Sequence, residues 1–136
     1  MSANEILQSI EWETLPAAAD KLGIDYTVVR RLIREGVLVA VKPAPDKPLS
    51  LPADFLLPAD HPHANSATGP ADHTEPTHGY LNALRGTITL LRDQNLTDEE
   101  IVVWLFSPND HLDGNAVETL RAGHKAVVRR AAQMIN

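Results

Sequence analysis

Between Tyr26 and Glu35 the sequence sets Thr27, Arg30, Arg31 and Arg34 at spacings of three, one and three residues, with no carboxylate among them. At about 100° per residue these four fall within roughly 100° of arc on one side of a helix, and Val29, Leu32 and Ile33 cluster on the other. Guanidinium groups are permanent planar cations, so such a cluster suits phosphate oxygens or the edge of a guanine base. Surface arginines are more often only a solvated face. Here they stand beside a threonine on the second helix of a two-helix unit, and two lysines, Lys42 and Lys47, follow. Duplex nucleic acid is therefore the expected partner of Thr27, Arg30, Arg31 and Arg34, with Lys42 and Lys47 as phosphate contacts.

Other chemistries are weakly supported. The chain has no cysteine, which excludes a disulfide scaffold, a thiolate zinc site and a cysteine nucleophile. His61, His63, His73 and His78 could chelate a metal, but their loose spacing on an aperiodic segment gives no preformed geometry, so no metal or other cofactor is expected. Asp98, Glu99 and Glu100 sit where a helix dipole favours anions, which explains them without acid-base chemistry. Nucleophile elbows, phosphate-binding glycine loops and paired zinc-ligand histidines are absent, so the chain is not expected to be an enzyme.

The elements that must position the arginines are specified locally. Thr14 is a suitable N-cap with Pro16 in the first turn, and that helix ends at Gly23. Asp25 can cap the second helix and Gly36 can end it. The two helices with their tight turn make a helix-turn-helix. Val37 to Val41 is β-branched, Lys42 to Pro48 is a proline-rich tip, and Leu49-Ser50-Leu51 alternates as a returning strand, which together predict a hairpin wing. Met1 to Glu13 is an acidic lead-in whose Ile6, Ile10 and Trp12 could form a loose helix or a packed arm.

Residues 60–79 carry no basic residue and no large apolar one before the final glycine, and they predict a flexible linker rich in proline and histidine. Beyond it the pattern is helical. Leu81, Leu84, Ile88 and Leu91 form a stripe; Thr97 to Glu100 is a capping box ahead of Ile101 to Phe106; Asn115 to Glu118 resembles another. A last helix from about His124, read as a cap, to Met134 is expected to bury Ala126, Val127, Ala131 and Met134. Trp104 and Phe106 would centre the core. The expected organisation is a winged helix-turn-helix at 1–59, a linker at 60–79 and a four-helix domain at 80–136. The fold class is mainly α with a small β-hairpin.

Net charge is −6, which argues against indiscriminate nucleic-acid binding and makes the local basic face the informative feature. No apolar run approaches the ~18 residues of a membrane span, and Glu5 and Glu11 replace the basic start of a signal peptide. A cytoplasmic, nucleoid-associated protein without membrane contact is expected.

Leu15-Pro16, AAADKLGI, RRLIREG and VLVAVK together resemble the MerR and excisionase group of helix-turn-helix domains. With LPADF, LLRDQNLTDEEIVVWLFSPNDHL and VETLRAGHKAVVRRAAQMI added in order, the chain is similar to a family of small actinobacterial DNA-binding proteins, with an N-terminal winged helix-turn-helix and a helical C-terminal domain. The resemblance implies DNA contact through Thr27, Arg30, Arg31, Arg34, Lys42 and Lys47. It also implies control by a Ser/Thr protein kinase, for which Ser2, Ser9 and Thr14 are the N-terminal hydroxyls. The stretch EEIVVWLFSPNDHLDGNAVETLRAG also resembles the toxin-binding, dimerising domain of certain antitoxins, which implies a protein partner or a homodimer through 80–136.

Overall fold

A computed structural model of the chain describes residues 2–66 and 76–135. Three helices open the fold: α1 (Ala3–Ser9), α2 (Leu15–Leu22) and α3 (Tyr26–Arg34). The lead-in is a defined helix, capped by Ser2, whose hydroxyl accepts from the Glu5 amide. Thr14 caps α2 by accepting from Ala17, and Gly23 ends it in the left-handed conformation at φ 68°. Asp25 stands at the start of α3 without a side-chain capping bond, and Gly36 follows its end at φ 77°. On α3 the buried face is Val28, Val29 and Leu32, with Ile33 half-buried, a rotation of a few tens of degrees from the expected stripe.

The wing differs from the expected hairpin. Val37 to Ala40 is buried but unpaired, and Val41 meets Ser50 in one antiparallel bridge, each amide donating to the other carbonyl at 2.9 Å. The next bonded pairs in that register would be Val39 with Pro52 and Pro43 with Pro48, and prolines have no N–H to donate. The ladder stops there. Strand β2 (Ser50–Pro52) instead pairs with β1 (Trp12–Thr14) of the lead-in, Glu13 opposite Leu51.

A short 3-10 turn at Ala53–Phe55 leads to β3 (Leu56–Pro58). The expected linker is corrected at both ends. β4 (Ala64–Asn65) and β5 (His78–Leu81) join β3 in an antiparallel sheet of order β3-β5-β4. Thr77 also donates its amide to the Lys21 carbonyl at 3.0 Å, tying β5 to the end of α2. Composition misled because backbone pairing needs no apolar side chain; Gly79 supplies the close approach, where any Cβ would run into the Asn65 carbonyl. The centre of that segment, with His73, lies outside the described residues.

Four helices complete the chain: α4 (Leu84–Asp93), α5 (Asp98–Phe106), α6 (Ala116–Arg121) and α7 (Lys125–Gln133). The Thr97–Glu100 capping box is closed in both directions, with amide contacts of 3.2 and 2.8 Å. Thr97→Ala should therefore lower stability by about 1 kcal/mol, read as a shift in denaturant midpoint at unchanged slope. His124 precedes α7 but makes no side-chain capping bond. The buried stripe of α7 is Val128, Ala131 and Ala132, so Ala126, Val127 and Met134 face outward. Ile101, Val102 and Leu105 centre the helical core, and Trp104 and Phe106 are half-buried at its edge.

One contiguous buried cluster runs from Ile6 to Ala132. Helix α1 packs on α5, and Arg121 of α6 donates to the carbonyls of Asp54 and Leu56 at 2.7 and 3.1 Å. The helical half is thereby bonded to the backbone that leads out of the winged half. Among the described residues no helix is long and apolar enough to cross a membrane.

Candidate nucleic-acid interface

Helix α3 owes its orientation to α2, against which its apolar face packs. Its opposite face leaves Thr27, Arg30 and Arg34 exposed, and Arg31 half-buried. Arg30 donates from Nη1 to the Tyr26 hydroxyl at 3.0 Å, and its guanidinium carbon lies 5.7 Å from the Tyr26 ring centroid. Both residues stand on the outer side of α3 one turn apart, so this contact steadies the guanidinium along the surface and leaves most of its five donors open. Among the described residues the Arg34 guanidinium has no hydrogen bond or ion pair, and neither exposed arginine is bound by a carboxylate of the helical half.

Arg30 and Arg34 border a shallow hollow of about 200 Å³ together with Leu15, Ile33 and Leu49. Leu49 is 36 % exposed, an apolar contact from the wing beside the two cations. Lys47 is exposed on the wing tip. Lys42 is exposed too, but it borders a different hollow, with Asn4 and Leu7 of α1 and Glu99 of α5. The fold thus gathers Arg30, Arg34 and Leu49 and sets Lys42 on the flank toward α1.

Tyr26 and Leu49 did not figure among the expected contacts. Tyr26 was legible in the sequence, four residues before Arg30 and hence one helical turn away. Leu49 was not, because its exposure follows from where β2 pairs. Arg92 was missed as well. It reaches from α4 to the C-terminal end of α3, where its Nη1 lies 3.0 Å from the position a Cβ on Gly36 would take, and it bonds Asp98 at 3.3 Å. A guanidinium at that end of α3 meets the negative pole of the helix.

The N-terminal hydroxyls have structural partners. Ser2 and Thr14 cap helices, and Ser9 donates to the Ile6 carbonyl at 2.7 Å. Of the histidines, His61 accepts the His63 amide through Nδ1 at 3.1 Å, His63 lies against Gly123, and His78 bonds Thr77 at 2.8 Å. No group of three or more candidate metal ligands converges among the described residues. On the helical half a groove of about 550 Å³ runs past Leu96, Val103, Trp104 and Ile135, with Glu99 and Glu100 on its rim.

Comparison with known proteins places both halves of the chain in one family. Residues 2–56 match the family described as DNA-binding protein Rv2175c, wHTH domain, and residues 81–136 match the Rv2175c C-terminal domain of unknown function. The chain is 33 % identical over 134 residues to the DNA-binding protein Rv2175c of Mycobacterium tuberculosis (strain ATCC 25618 / H37Rv), covering 88 % of this chain and 77 % of the relative. The NMR structure of Rv2175c superposes with a TM-score of 0.67 at 28 % identity, covering 93 % of this chain and 82 % of that one.

Proposed function

The chain belongs to the family of the DNA-binding protein Rv2175c, and from that membership we propose that it binds duplex DNA as a transcriptional regulator or nucleoid-associated protein of the cytoplasm. The observation that carries this reading is the outward, carboxylate-free pair Arg30 and Arg34 on the second helix of the helix-turn-helix. Thr27, Arg30 and Arg34 enter the groove with Arg31 at their edge, Leu49 packs at the rim, and Lys47 and Lys42 meet flanking phosphates. In a protein of net charge −6 such contacts are selective, because the rest of the surface repels the duplex. Neutralising four or five phosphates gives a slope of about −4 for log affinity against log salt on a short duplex. A slope near zero, measured by fluorescence anisotropy between 50 and 200 mM salt, would refute ionic contact.

A second role for residues 80–136, a protein interface, is supported by the Trp104 groove. Val127 on α7 and Met134 at its C-cap, 40 % and 49 % exposed and seven residues apart, present an apolar edge with Arg130 between them. That edge complements an apolar groove rimmed by Glu99 and Glu100, so the partner that fits is a second copy of this chain. Sedimentation of the full chain at rising concentration should then give a dimer that Trp104→Ala and Met134→Glu each disperse. A monomer throughout would reject that role.

Kinase control is the remaining part of the proposal. A phosphate on Thr14 would take away the hydroxyl cap of α2 but could be held by the same free amides, so the effect would reach α3 through the packing of α2 on it.

A further inference from the structure

Away from α3 the described surface holds a second basic site, in the helical half that carries no assigned role. An open cleft of about 610 Å³ between α4 and α7 is lined by Asn82, Arg85, Thr89, Arg129 and Gln133 around Gly86. None of these is acidic. Gly86 makes the cleft possible: Arg129 lies flat across it, and any Cβ there would collide with the guanidinium. Arg85 of α4 and Arg129 of α7 both line the cleft, with the side-chain amides of Asn82 and Gln133 as further donors, while Thr89 spends its hydroxyl hydrogen on the Arg85 carbonyl at 2.9 Å. Asp93, one turn beyond Thr89, is the next carboxylate along the outer side of α4.

The cleft is also linked to the end of α3 along helix α4. Arg92 touches the end of α3 at Gly36, and Arg85 stands seven residues before it, so the two project on one side of α4 about 10 Å apart. Arg92, paired with Asp98 at 3.3 Å, thus lies along α4 between the end of α3 and Arg85. With one phosphate per about 3.4 Å of duplex axis on each strand, that extension spans about three more nucleotides. We infer that the α4–α7 cleft is a second phosphate site, through which the helical domain grips the DNA backbone beyond the segment read by α3. This rests on the DNA-binding reading and adds a function for the C-terminal half.

The test uses the full chain and duplexes of about 10 and 20 base pairs, with binding followed by anisotropy across a salt series. Removing two phosphate contacts by Arg85→Gln with Arg129→Gln should make the slope on the longer duplex shallower by about two and leave the short duplex nearly unchanged. The lysine pair, Arg85→Lys with Arg129→Lys, should keep the steep slope, since a phosphate contact needs the charge. Glutamine keeps most of the side-chain length, and an unchanged melting curve excludes a folding defect. Equal slopes for wild type and the glutamine pair on the long duplex would overturn the cleft alone, as would a lysine pair as shallow as the glutamine pair. A wild type that binds neither duplex would overturn this site and the DNA-binding reading together.

Discussion

Replacing Arg30 and Arg34 together by alanine is expected to lower affinity for duplex DNA by about 30-fold or more, because each guanidinium contact to a base edge contributes roughly 1–3 kcal/mol. The same double variant should melt within about 4 °C of the wild type, since each exposed substitution changes stability by about 0.5 kcal/mol or less. Both outcomes follow from exposure. Arg34 has no bonded partner among the described residues, and Arg30 holds only Tyr26, a neighbour on the same helix surface. A gel shift paired with a melting curve separates the two quantities. A folded double variant that binds as tightly as the wild type would move the interface off α3.

The second large effect lies at the junction of the two halves. Phe55 is fully buried on the turn between β2 and β3, with its ring centroid 6.0 Å from that of Phe106 on α5. Phe55→Ala should cost about 3–5 kcal/mol, a large part of the ~5–15 kcal/mol available to a protein of this size, and lower the melting temperature by about 10 °C or more. Trp12 in β1 and Trp104 in α5 report on the halves separately. Because one buried cluster spans both, the two signals should melt together in wild type and variant alike. Two separated transitions, with only the first moved by the substitution, would mean that the halves unfold as independent domains.

The parts of this fold that were legible in the sequence are those fixed within a few residues of themselves. Thr14, Gly23, the Thr97–Glu100 box and Asn115 set helix ends through bonds to their own neighbours, and each stands where its residue type predicts. The arginine face was legible for the same reason, because α3 is one short helix with a clear apolar side. Pairings between distant segments were not. Nothing local says that Ser50 to Pro52 pairs with Trp12 to Thr14, or that His78 to Leu81 lies between two strands. The misplaced stripe of α7 has a different origin: its buried side is drawn from Val128, Ala131 and Ala132, so adjacent valines and alanines offered two nearly equal faces. Lys42 matched the expected exposure, yet its position beside α1 depends on how the proline-rich tip packs, which no periodicity encodes.

Amide and arginine side-chain NMR spectra, recorded while a duplex is added, test the central claim most directly. Shifts should concentrate on Tyr26 to Arg34, with the Nε–H signals of Arg30 and Arg34 moving first and Leu49 following. Shifts confined to the helical half, with α3 unmoved at saturation, would contradict it.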